Sequence, residues 1–248
     1  MQAKKLLKKF FIFIFFILLW EAVAFFANKN LLIAIPTPLT VAQAFCRLSK
    51  NISFWISAAY SLYRVLIGFL LAVITGTVLA TISVRIKIIG EFISPLLRLM
   101  RAVPVAAFII LVFLWVREKN IPTLIAFLTV LPIVWDATYN ALCSVDKSLV
   151  EMAEVLGLKK GKIFRFITFP SIRPAYSAAL VTGLGFAWKS GVAAEVISRT
   201  EMSLGNLLWI GKNAIDYDEV FAVTAVIVIF SVIFEYLLKL TLSKGVAK

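Results

Sequence analysis

Residues 57–84 read SAAYSLYRVLIGFLLAVITGTVLATISV. About 20 predominantly apolar residues suffice to cross the hydrocarbon core of a bilayer as an α-helix. This run exceeds that length and carries one charge, Arg64. Its apolar residues are continuous rather than alternating, which argues against a transmembrane β-barrel. Similar runs recur, and spans are expected at about 10–27, 57–84, 92–116, 121–143, 174–197 and 219–242. Pro104 and Pro132 fall inside two of them, as membrane helices tolerate when neighbouring groups re-satisfy the freed carbonyls.

The composition agrees. Hydrophobic residues make up 62% of the 248 and charged ones 16%, with a mean hydropathy of +0.98. A soluble domain carries about 45–50% apolar and about 25% charged residues. The chain therefore reads as an all-α membrane protein of about six transmembrane helices, one domain over residues 1–248. It has no histidine, the usual general base and a common metal ligand. Cys46 and Cys143 stand apart and form neither metal-ligand spacing nor a disulfide framework. A membrane-embedded enzyme would need a nucleophile with a base, a metal site or a carboxylate pair; that class and a passive channel stand as distant alternatives.

The net charge is +13. No compact basic domain lies outside the spans, so a nucleic-acid partner is not the reading, and the excess is a topology signal. Lys4, Lys5, Lys8 and Lys9 precede the first apolar run, and Ala22-Val23-Ala24 fits a small-x-small cleavage pattern. The run continues to Ala27, which favours a retained signal anchor. With the N-terminus in the cytoplasm, seventeen Lys and Arg from Lys4 to Lys248 fall inside and eight outside. Both termini and the loop 144–173 are then cytoplasmic.

That loop contains EMAEVLGLKKGKIFRFITFP, residues 151–170. Leu149, Met152, Ala153 and Leu156 recur at the i, i+3, i+4, i+7 spacing of one helix face, predicting a helix over 148–156. Asp146 is placed to cap it, and Glu151 suits the first turn through the helix dipole. Gly157 suits a left-handed termination. A second helix is expected over about 159–168, stopped by Pro170, with Pro174 opening the fifth span. Spacing alone leaves two readings: a helix lying on anionic membrane lipid, or a docking element for a partner groove. GLKKGK, residues 157–162, is no phosphate-binding loop, because three residues separate its glycines instead of four and Ile163 replaces Ser or Thr. Gly211-Lys212 is followed by Asn213 and fails likewise.

Glu151, Ala153, Gly157, Ile167 and Pro170 also fall at the offsets of the EAA loop. The loop thereby resembles that of the permease subunits of ATP-binding-cassette importers, with Met152 and Phe169 as departures. Ile35-Pro36-Thr37-Pro38, Ser61-Leu62, Arg64 to Phe69, Val145-Asp146, Ala187-Trp188, Val192 to Glu195 and Leu204-Gly205 resemble segments of the nitrate, sulfonate and taurine branch. Residues 108–116 lack the proline and W-F-G of that branch.

The resemblance implies a type I importer permease fold, with a cytoplasmic coupling helix between spans 4 and 5. It implies an inner-membrane pathway for a small anionic solute of the sulfonate, taurine or nitrate kind, worked by alternating access. A thiamine-precursor pyrimidine is the alternative cargo. The implied partners are a second copy of the chain, two cytoplasmic ATPases and an extracytoplasmic binding protein. ATP and magnesium would sit on the ATPases, with no cofactor on this chain. ATPase coupling would fall to Leu149, Glu151, Met152, Ala153, Leu156, Gly157, Ile167 and Pro170.

Charges within spans are functional candidates by default. Lys189 lies 15 residues into the fifth span, about 22 Å from its inner end at 1.5 Å per residue. It suits either attraction of an anionic solute or pairing and snorkelling. Trp188 suits packing or an interface, and Glu195 a gate contact or a solvated boundary; with Lys189 these are the substrate-pathway candidates. Glu235 and Lys239 have the i,i+4 spacing of a structural pair. Glu21 and Asp136 remain unassigned.

Overall fold

A computed structural model describes residues 2–30 and 35–244; Lys248, counted above among the inner bases, lies outside the described residues. The helices are α1 (Gln2–Asn30), α2 (Pro38–Ser49), α3 (Ile52–Arg85), α4 (Lys87–Ala102), α5 (Val105–Phe113), α6 (Ile121–Cys143), α7 (Lys147–Val155), α8 (Lys160–Ile163), α9 (Phe169–Ser198), α10 (Leu204–Asn213) and α11 (Tyr217–Lys244). A 3-10 turn, Glu118–Asn120, precedes α6, and a π-helical segment, Phe164–Thr168, joins α8 to α9. Among the described residues there is no strand.

α3, α6 and α9 form the centre, and small residues explain how. Lipid tails are as apolar as leucine, so helices in a membrane gain little from hydrophobic exclusion and associate through close packing and buried polar contacts. Gly68, Ala72, Gly76 and Ala80 recur every fourth residue of α3, all buried. A Cβ on Gly68 would run into the Thr123 carbonyl of α6, and one on Gly76 would lie 3.2 Å from Val134 Cβ. On α9, a Cβ at Gly191 would sit 2.5 Å from Val65 Cγ2 of α3. Half-buried hydroxyls tie the same trio, Thr77 to Tyr176 at 3.1 Å and Thr129 to Ser190 at 2.9 Å. α1 is joined to the rest of the chain through Trp20, whose indole N–H donates to Pro36 O, just before α2, at 3.0 Å and whose ring lies 6.0 Å from that of Phe221 on α11.

Helix α6 reproduces the expected fourth span residue for residue, with Pro132 inside it. α3 overruns the second span by five residues at its start and one at its end, and α11 the sixth by two at each end. α1 encloses the first and runs unbroken through Ala22-Val23-Ala24. The third span is a correction: residues 92–116 are not one helix but parts of α4 and α5, bent by 101°. Proline disfavours helical backbone in the residue before it, and Val103 is extended, with ψ 127°, so the helix ends there and restarts after Pro104.

A second correction concerns Pro170 and Pro174. Neither stops nor starts a helix; residues 160–198 run as one helical rod. Pro170 lacks an N–H and crowds the carbonyl four residues back. The wider π turn just upstream accommodates it, with Phe169 N–H bonding Phe164 O. Two short helices were not anticipated. α2 starts with Pro38 in its first turn and a reciprocal cap between Thr37 and Thr40, and α10 is capped by Ser203.

Candidate coupling loop and membrane charges

Asp146 Oδ1 accepts the Ser148 backbone N–H at 2.8 Å and its hydroxyl at 2.7 Å, fixing the start of α7. Those side-chain and backbone bonds hold the Asp146 carboxyl below the usual carboxylate range. At the other end Gly157 has φ +74°. Its N–H donates to Glu154 O at 2.9 Å, and that of Leu158 to Ala153 O at 3.0 Å, the paired bonds of a Schellman termination. Nothing lies within 4 Å of where a Cβ on Gly157 would be. The demand for glycine is therefore one of backbone conformation, not of space.

Between these caps the expected apolar face divides. Ala153 turns inward at 2% exposure, whereas Leu149, Met152 and Leu156 are exposed, Leu156 at 71%. Val155, absent from the spacing pattern, is the most exposed of all at 88%. Glu151 is exposed and makes no hydrogen bond or ion pair among the described residues. Ile167 is half-buried, and its carbonyl accepts the Ser171 hydroxyl at 2.7 Å. Pro170 is exposed. α7 thus presents a bare apolar surface on a helix held at both ends.

Of the three pathway candidates, Trp188 is in the core. It is 1% exposed, donates its indole N–H to Ile227 O at 2.9 Å, and packs edge-on against Phe234 at 5.2 Å. In this structure its whole side chain is taken up by packing on α11. Glu195 is also fully buried, so the solvated reading is overturned. Its Oε2 accepts the Ser61 hydroxyl at 2.8 Å and the Gly205 N–H at 3.2 Å, while Ser61 Oγ accepts the Leu204 N–H at 2.9 Å. Arg64 lies with one Nη 3.8 Å from Glu195 Oε1 and donates to Met202 O and Glu201 O at 3.0 and 3.1 Å. Three separate sequence segments, around Arg64, Glu195 and Gly205, therefore meet in one buried polar knot.

Lys189 is exposed and lines a cleft between α9 and α11 with Glu235 and Lys239. The expected Glu235–Lys239 ion pair is absent; Glu235 points at Gly185 of α9, where a Cβ would sit 2.7 Å from its Oε1. Asp136 finds a partner that spacing did not give it, Arg101 at 3.2 Å, tying α4 to α6. The signal available for Arg64 was its place inside a span, away from the boundary basic residues. Among the described residues no three His, Cys, Asp or Glu side chains gather as a metal site.

Residues 68–244 match the family described as the binding-protein-dependent transport system inner membrane component. The nitrate import permease of Synechococcus elongatus is 29% identical over 157 residues, covering 62% of this chain and 55% of that protein. The taurine transport system permease of Escherichia coli is 26% identical over 185 residues, covering 74% and 66%. In fold, the chain is similar to a crystallised amino acid ABC transporter, with a TM-score of 0.64 at 15% identity, over 83% of this chain and 96% of that one.

Proposed function

The chain belongs to the family of binding-protein-dependent transport inner-membrane components, a multi-pass transport subunit, and from that premise we propose that it builds the pathway of an ATP-driven importer for a small anion of the sulfonate, taurine or nitrate kind. The names of its relatives support that cargo class. The complete assembly has two copies of this chain, two cytoplasmic ATPases carrying ATP and magnesium, and an extracytoplasmic binding protein. Both termini face the cytoplasm, in line with the basic bias of the inner loops.

The observation that carries the reading is α7: a short helix, capped at each end, with Leu149, Met152, Val155 and Leu156 bare. An amphipathic helix laid in a groove is a recurrent docking mode. Glu151 supplies a polar contact at the rim, and Ile167 and Pro170 set the course of the rod that leaves the joint. Closure of the ATPase pair then shifts helices as rigid bodies.

The test is purification of the tagged chain with its ATPase, with and without Met152→Asp and Leu156→Asp. The double variant should insert normally, lose the ATPase and lose ATP-dependent uptake. Full ATPase recovery with both aspartates in place would remove α7 from the joint. Uptake of a neutral pyrimidine in preference to taurine, an alkanesulfonate or nitrate would replace the cargo assignment.

A further inference from the structure

Two pairs of charged side chains within the spans meet. Arg64 lies against Glu195, and Arg101 pairs with Asp136. Lys189, Glu235 and Lys239 make no hydrogen bond or ion pair among the described residues, yet all three line one cleft of about 270 Å³. An ionisable group left unpaired at membrane depth is costly and faces a water-filled space or a bundle interior rather than lipid.

The helix cannot turn to hide Lys189. On its other sides, Trp188 is packed against α11 and Gly191 against Val65 of α3. Side chains on a helix lean toward its N-terminus. α9 and α11 run in opposite directions, so Lys189 leans inward while Glu235 and Lys239 lean outward, toward the level of Gly185. The missing side chain at Gly185 leaves room for the Glu235 carboxylate. Thr182, one turn below, adds a hydroxyl to the wall. The cleft shares Thr182 and Lys239 with a wider groove of about 760 Å³ that reaches Pro170 and Arg173 at the inner end of α9. Sites for drug-sized ligands run about 300–1,000 Å³, so the cleft suits a solute of a few heavy atoms.

We propose that this cleft is the anion-selecting station of the solute pathway, with Lys189 and Lys239 receiving the acidic group of a small sulfonate or carboxylate and Glu235 keeping that hold weak. Passage requires binding strong enough to admit a solute and weak enough to release it; one acid between two bases meets both demands. The groove beyond it leads the solute toward the cytoplasm. This assignment rests on the permease reading above and adds the place and the charge logic.

The experiment uses the full chain in membranes, with Cys46→Ser and Cys143→Ser removing both native thiols and Thr182→Cys placed in the cleft. Two water-soluble thiosulfonate reagents of similar size, one anionic and one cationic, are timed against the introduced thiol. Both should react, the anionic one about tenfold faster, within the range of electrostatic focusing. Lys189→Gln should lower that preference severalfold and Glu235→Gln should raise it. Ala178→Cys, on the same strip, repeats the test if Thr182→Cys disturbs folding. A thiol that reacts only after denaturation overturns the pathway assignment, and a preference indifferent to Lys189 and Glu235 overturns the selectivity. Loss of ATPase copurification would instead sink the permease reading, since the thiol rates require neither ATPase nor cargo.

Discussion

Glu195 Oε1 lies 3.8 Å from the nearest Arg64 Nη and is buried without a hydrogen-bond donor, while its twin Oε2 holds two. The carboxylate is thus oriented by Ser61 and Gly205 and neutralised by Arg64 without being clasped by it. Arg64 in turn donates its guanidinium N–H groups to the Glu201 and Met202 carbonyls, closing the turn between α9 and α10.

The two members of this knot should therefore respond unequally. Arg64→Met removes the cation beside a buried carboxyl and strips two carbonyls of donors. Losing one member of a buried pair costs about 3–5 kcal/mol. Glu195→Gln keeps an oxygen for Ser61 and Gly205 and should cost well under half of that. Thermal unfolding of the purified chain in detergent checks the order; equal losses would contradict it.

Gly157 should be intolerant for a reason its empty surroundings reveal. Left-handed backbone costs a residue with a Cβ about 1–2 kcal/mol, and a β-branched one more. Gly157→Val should insert normally but lose ATPase-coupled uptake, while Gly157→Asn, which adopts that conformation more readily, should retain a measurable part. Wild-type uptake by the valine variant would count against the docking role.

At the end of α10 the chain does the opposite and places Ile215 at φ +58°. Its N–H donates to Lys212 O and that of Asp216 to Gly211 O, a Schellman turn whose customary glycine is missing. Ile215→Gly should stabilise the chain by about 0.5–1 kcal/mol, the relief of left-handed strain outweighing added freedom in the unfolded chain. Unfolding midpoints at matched detergent concentration decide this.

The cap on α7 sets a pH dependence. The folded-state pKa of Asp146 is depressed, so its contribution is fully present above the unfolded value of about 3.9 and is lost as pH falls through the lower folded value. ATPase recovery should be insensitive to Asp146 titration at neutral pH and weaken only in strong acid. Asp146→Asn, itself a good cap, should flatten that acid limb. An Asp146-dependent change between about pH 6 and 8, far above that titration range, would refute the assignment.

What could be read from the sequence was what depends on neighbours along the chain. Asp146 before α7 and Gly157 after it obey local capping rules, and residues 121–143 have enough apolar length to declare a helix unaided. Pro104 and Pro132 look alike in sequence yet behave differently. Pro132 is buried in α6, where α3 and α9 enclose the helix, whereas Pro104 is exposed and the helix breaks there. The meeting of Arg64 with Glu195, like that of Arg101 with Asp136, depends on which helix faces touch, and no local pattern encodes that. The same holds for the Lys189 cleft: the single charge was visible, its company on α11 was not.

On the docking role proposed above, the unbroken rod from Lys160 to Ser198 acts as a lever. Taken about Gly183, where a Cβ would lie 3.1 Å from Val130 Cγ1 of α6, it has two arms. From there Ile163 is roughly 30 Å away on one arm and Ser198 roughly 22 Å on the other, at 1.5 Å per residue. With those arms, a push of about 5 Å at the joint tips the rod by roughly 10° and swings its outer end about 4 Å the opposite way. On that proposed role, one stroke at the docking surface would move the two ends of the rod in opposite senses, without a hinge between them.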